Sequence, residues 1–226
     1  MKNPWVHLAE SPPYVLLDDR KYIDAFNRGE AERNPNPTTG LDLSLLPEPF
    51  VGNRRAPVVV LNLNPGWSLR DPENYSTPER RDAVWANLRS DEPDGQIHYA
   101  FTESFAGTPG GEYWRKCFRQ LLDEGIKLEQ LAGSVLSVEM HGYHSRSFAP
   151  IPMTLPSQRF AFHLVEQAIE REAVVVILRG MRQWGVVVPE LRGRVVEVNN
   201  PRSATISRGN IGSDADWSRI TRALDL

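Results

Sequence analysis

Four apolar runs in this chain each end in residues that can do chemistry. Val58-Val59-Val60-Leu61-Asn62-Leu63 stops at Asn64-Pro65-Gly66, with Ser68 just beyond. Ser134 to Met140 carries Glu139 and leads into His141, Tyr143, His144 and Ser145. Ala173 to Leu178 runs into Arg179-Gly180, and Arg194 to Val198 into Asn199-Asn200-Pro201-Arg202-Ser203. Polar residues at strand ends are where open α/β sheets bind ligands. For Asn64 alone, the ordinary reading is a strand-to-loop turn whose amide satisfies local backbone groups. His141 and His144 have His-x-x-His spacing, but a metal needs a third ligand. Glu139 is near in sequence, yet all three lie at a strand end rather than on one helix face. The bland reading is one buried, hydrogen-bonded histidine and one exposed one, and no metal site is expected.

The elements that must position these groups follow from periodicity. The β-branched runs read as buried strands, and Pro65 and Gly66 end the first of them. Tyr113 to Glu124 carries a helical stripe of Tyr113, Trp114, Cys117, Phe118, Leu121 and Leu122, announced by Thr108-Pro109-Gly110-Gly111. Ser157 to Glu172 repeats the pattern, with Ser157 as candidate N-cap. Short helices are expected at Met181–Val187 and Pro78–Arg89, and a terminal one from Asp214 to Leu224. Strands alternating with helices predict a three-layer α/β/α sandwich around a mostly parallel, four-stranded sheet. Residues 1–50 are polar and proline-punctuated, with one helix expected over Asp18–Arg28. They read as an N-terminal extension packed on a single α/β domain spanning 51–226, being too poor in apolar residues to form a core alone.

Composition narrows the functional classes. The chain has 226 residues, 40% of them hydrophobic and 24% charged, with a net charge of −3. That is ordinary for a globular domain and argues against a broad phosphate-gripping surface. No run of about 18 apolar residues is present to span a bilayer. No secretory leader is legible, so no membrane partner and a cytoplasmic location are expected. The single cysteine, Cys117, excludes an internal disulfide and cysteine-held zinc or iron–sulfur centres. No cofactor is implied. There is no Gly-x-Gly-x-x-Gly or Walker pattern, and no Gly-x-Ser-x-Gly elbow to support a Ser/His/Asp triad. Gly107 to Gly111 enters a helix and could hold an anion there, although a plain loop explains it as well. Val174 to Gly212 holds six arginines against two acids. That suits phosphate contacts, or simply a solvated face.

The run Asn62-Leu63-Asn64-Pro65-Gly66 resembles the uracil-DNA glycosylase superfamily, especially its mismatch-specific branch, whose first strand ends Gly-Ile-Asn-Pro-Gly. Phe105-Ala106 before Tyr113-Trp114, the step at Gly180 and Trp184, and Asn199-Asn200-Pro201-Arg202-Ser203 in place of His-Pro-Ser extend the likeness over residues 56–224. The resemblance implies a glycosylase-like fold and a nucleobase flipped from DNA into a pocket. It implies that Asn64, beside Pro65 and Gly66, positions a water at the anomeric carbon. Phe105 would stack on the base, and Glu139 or a neighbour in the second-strand motif would meet its edge. Asn200 would stabilise the departing base, and Arg202 and Ser203 would grip phosphate. The chain departs from the pattern in three places. Asn200 replaces a histidine, Arg202 interrupts Pro-Ser, and His141-Gly142-Tyr143-His144-Ser145 has no counterpart. Asn64 itself cannot be a general base, because an amide does not titrate. Three functions are therefore expected as alternatives: hydrolysis of a nucleobase–deoxyribose bond in DNA; a silent or divergent relative binding a nucleotide, nucleobase or nucleic acid; and a protein-interaction module.

Overall fold

The computed structural model describes residues 1–92 and 94–225. One five-stranded sheet forms from β1 (Phe50–Gly52), β2 (Val58–Asn62), β3 (Val135–Glu139), β4 (Val174–Ile177) and β5 (Val195–Glu197), in the order β1-β3-β2-β4-β5. β2 to β5 are parallel and are the four runs expected from periodicity. Every residue of β2, β3 and β4 is buried. Near-continuous Val and Leu suits strands covered on both faces.

The fifth strand corrects the expectation of four. β1 pairs antiparallel with β3, making the sheet mixed. Its three residues are too few to show a period, and they sit beside Pro49. What closes its free edge is a side chain. Asn87 accepts the Gly52 N–H at 3.0 Å and donates to the Phe50 carbonyl at 2.7 Å, the two bonds another strand would make. Gly52 has φ +112°, and a Cβ there would fall on the Val135 carbonyl oxygen, so no side chain fits.

Eight α-helices surround the sheet among the described residues: α1 (Leu17–Arg33), α2 (Pro78–Arg89), α3 (Pro109–Cys117), α4 (Arg119–Asp123), α5 (Leu128–Ser134), α6 (Gln158–Glu170), α7 (Met181–Val187) and α8 (Asp214–Ala223). The stripe read as one helix over Tyr113–Glu124 is two, broken at Phe118 where the backbone leaves helical angles. Ser157 precedes α6 but makes no side-chain cap, whereas Ser213 accepts the Asp216 N–H at 3.1 Å and caps α8. On one face of the sheet, His98 reaches Ser137 at 3.1 Å and packs on Trp114 of α3, with ring centroids 4.8 Å apart. On the other, Phe160 of α6 meets Phe50 at 5.6 Å. Helices therefore stand on both faces. None of the described helices is long and apolar enough to cross a membrane.

Residues 1–50 contribute Trp5, Leu8, Leu16, Ile23, Phe26, Leu41 and Leu46 to the same core as the sheet. A buried carboxylate ties them down. Asp19 accepts the Tyr143 hydroxyl proton at 2.7 Å and the Ser157 N–H at 3.1 Å. Burial nevertheless holds its pKa above the ordinary carboxylate value.

Asp19→Ala strips both donors of their acceptor. It should cost about 1–3 kcal/mol in urea unfolding with an unchanged m-value. A loss within about 0.5 kcal/mol, the size of a neutral surface change, would show that this latch does not hold the segment.

Candidate functional site

The connection from β2 leads to β3 on one side of it, and the connection from β4 leads to β5 on the other. Such a reversal opens a crevice at the carboxyl ends of the strands. A cleft of about 550 Å³ lies at this edge. β2 ends here because Pro65, three residues on, has no N–H for a ladder. The last carbonyl of β2, that of Asn62, accepts the indole N–H of buried Trp184 at 2.8 Å, which fixes the strand end.

Parallel register places Asn62 directly beside Glu139, with both side chains on one face. The Asn62 amide donates to Glu139 Oε1 at 3.3 Å. Asn62 Oδ1 and Glu139 Oε2 have no hydrogen-bond partner among the described residues. The two residues are 4% and 8% exposed, and both line the cleft. Burial pushes Glu139 up to about 8, against the Asn62 hydrogen bond that favours ionisation. At neutral pH the carboxyl group therefore carries a proton and can donate it. The pair presents one acceptor and one O–H donor side by side.

The cleft walls come from three loops. The Asn64–Ser68 turn forms one. Asn64 donates to the Pro65 carbonyl and to Ser145 Oγ, each at 2.9 Å, which commits its N–H₂ and leaves Oδ1 as an acceptor. The start of α3 forms another, through Pro109, Gly110 and Tyr113. Thr108 caps this helix by accepting the Gly111 N–H at 3.1 Å, and the helix turns its positive end to the cleft. Burial raises the Tyr113 hydroxyl well above its ordinary value, keeping it protonated. The third wall runs from His144 to Phe148, with Arg179 also lining the cleft.

The structure sorts the residues expected from sequence. Asn64, Pro65, Gly66, Glu139 and His144 line the cleft. His144 works as a latch there. Its Nδ1 lies 2.6 Å from the Gly66 carbonyl and its Nε2 3.0 Å from that of Leu46. His141 lies elsewhere, stacked on Phe148 at 5.9 Å in a separate, largely apolar groove. Burial pushes it down to about 4, so it is neutral. The two histidines serve different walls, and no group of three His, Cys, Asp or Glu residues placed to hold a metal exists among the described residues.

Phe105 corrects the expectation of a stacking residue. It is 2% exposed, packs on Tyr99 at 4.7 Å, and does not line the cleft. The turn into α3 rolls it inward, and its carbonyl accepts the Thr108 hydroxyl at 2.8 Å. Asn200, Arg202 and Ser203 are exposed on the loop after β5, outside the cleft lining. Asn200 spends its side-chain oxygen on the Arg202 N–H at 3.1 Å.

Sequence reading missed Asn62, Ser137, Trp67 and Arg146 as cleft residues. A signal for one of them, Ser137, existed. Ser137 and Glu139 alternate inside a buried strand, which sends both to one face. Ser137 meets only a weak base: His98, pushed by burial down to about 3, has no partner on Nδ1. Cys117, raised to about 12 by burial, stays a thiol and donates to the Ala204 carbonyl at 3.0 Å. Neither is an activated nucleophile.

Comparison of the chain with family models, with curated proteins and with solved structures found no match in any of the three.

The Glu139 carboxyl sets a stability slope. Folded protein keeps a proton here that the unfolded chain loses above about pH 4.5, so stability from this group falls as pH rises towards about 8 and is flat beyond. Thermal melts across that window should show Glu139→Gln with a shallower fall than the parent. Identical slopes would mean that Glu139 ionises normally.

Proposed function

We propose that the cleft binds a nucleobase by its hydrogen-bonding edge, and that the protein is a divergent relative of the uracil-DNA glycosylases that hydrolyses a nucleobase–deoxyribose bond. The observation that carries the reading is the Asn62–Glu139 pair. An orphaned carbonyl oxygen beside an orphaned carboxyl group is costly to bury unless a ligand completes it. A base edge with one donor next to one acceptor does so with two bonds. Tyr113 and Trp67 supply aromatic surface around it, and the volume suits a small molecule.

Support for hydrolysis is chemical. Asn64 Oδ1 is free to hold a water while its N–H₂ groups are fixed. That water attacks the anomeric carbon and its proton passes to solvent. The C–N bond breaks with its electron pair leaving on the base. The charge spreads onto a base carbonyl oxygen, where the Glu139 O–H is a ready donor. Glu139 thereby takes the task that the resemblance assigned to Asn200. The strand order β3-β2-β4-β5 with ligand groups at the carboxyl edge is compatible with a glycosylase-like sandwich. A second reading, a relative that binds the base without cleaving it, is favoured by Phe105 and Asn200 lying outside the cleft.

Labelled oligonucleotides bearing uracil, hypoxanthine or ethenocytosine, treated with alkali after incubation, test the reaction. Strand breaks are expected, reduced on the order of 100-fold in Asn64→Ala, the scale of a lost positioning contact. No breaks, with free-base binding that Asn62→Ala weakens, would select the binding relative. Absence of both would remove the nucleobase reading.

Binding itself carries a pH signature. Above about pH 8 an ionised Glu139 offers only acceptors. Affinity for the base should fall through that pH in the parent and stay flat in Glu139→Gln, as read by titration calorimetry. A pH-independent parent would show that Glu139 does not donate to the ligand.

A further inference from the structure

The cleft continues past its rim. Trp67, Ser145 and Arg146 line it and also line a second groove of about 560 Å³, whose opposite wall is residues 27–43 of the N-terminal segment. That wall is braced. Asn27 donates to the Leu41 carbonyl at 2.9 Å and accepts the Leu41 N–H at 2.8 Å. The Ser147 N–H donates to the Thr38 carbonyl at 2.8 Å, which ties the wall to the loop that carries Arg146. Between the two cavities the Arg146 guanidinium lies over the Trp67 ring, 4.1 Å from its centroid. Arg146 is exposed, and none of the ion pairs or side-chain hydrogen bonds among the described residues involves it. The acid lining the groove, Asp42, is engaged by the Ser44 N–H and hydroxyl at 2.8 and 2.6 Å.

We infer that this outer groove is a second subsite, which takes the nucleotide adjoining the one whose base enters the cleft, so that the ligand is a single strand of nucleic acid rather than a free base. The inference rests on the nucleobase reading of the cleft. An indole face and an unpaired guanidinium at one junction are what a strand needs there. The neighbouring base stacks on the face of the Trp67 ring opposite Arg146, whatever its identity. The planar fork of donors meets the phosphate that joins the two nucleotides. Both cavities are of single-ligand size, and they adjoin through Trp67, Ser145 and Arg146, which line both. The N-terminal segment thus acquires a binding role besides its part in the core.

Titration calorimetry on the full chain tests this with the deoxynucleoside monophosphates and with single-stranded trinucleotides of the same central base flanked by thymidine. The trinucleotide should bind about 10-fold tighter or more, the worth of one stacked base. Thr38→Glu, an exposed change on the outer wall only, should erase that advantage and leave monophosphate affinity as it was. Arg146→Ala should flatten the salt dependence of trinucleotide binding by about 0.7 in log–log slope, one phosphate contact. Equal affinities for monophosphate and trinucleotide would overturn the second subsite and leave the nucleobase reading standing. Failure of both ligands to bind would overturn the nucleobase reading, and the second subsite with it.

Discussion

The parallel pairing of β2 with β3 governs the carboxyl edge of this molecule. Each rung sets two side chains on a common face, and the last rung sets an amide against a carboxyl group. One residue of slip would turn Glu139 into the opposite helical layer and bring Val138 to the cleft. The rungs above it, Val58 with Val135 and Val60 with Ser137, hold that register because every residue in them is buried. The unusual protonation of Glu139 is thus a consequence of sheet geometry. The strand carries the carboxyl group to a place where water cannot solvate its charge.

Fixing the edge takes contributions from far along the chain. Trp184 holds the end of β2, His144 clamps the Asn-Pro-Gly turn to the N-terminal segment, and Asp19 gathers Tyr143 and the start of α6. These are single polar contacts inside an apolar core, where an unpaired partner is expensive. They explain the motif His141-Gly142-Tyr143-His144-Ser145 residue by residue. Tyr143 and His144 are fasteners, Ser145 receives the Asn64 amide, and His141 backs Phe148. Gly142 is required because Pro49 lies where its Cβ would be.

Electrostatics in the cleft is local. The chain is slightly acidic overall, yet Arg146 and Arg179 both line the cleft and take part in none of the ion pairs among the described residues, and the capped start of α3 adds a partial positive charge. The one carboxyl group deepest among them is neutralised by burial instead of by an arginine. Glu48 and Asp71 also line the cleft, so its hydrogen-bonding floor is surrounded by groups of both charges.

The sequence alone determined the four parallel strands, the helices between them and the convergence of polar residues at one edge. Those follow from hydrophobic periodicity and from Pro65 and Gly66, which act over a few residues. It also brought Asn64, Glu139 and His144 to that edge, where all three line the cleft. It could not show β1, whose three residues carry no period and whose edge is completed by Asn87 from a helix. Nor could it show that Phe105 faces the core or that Asn200 spends its oxygen on its own loop. Loop rotations are set by packing against distant residues. The tertiary structure alone decided which polar atoms were left without partners. Whether Asn62 and Glu139 are satisfied depends on every group around them, and those groups come together only when strands remote in sequence are laid side by side.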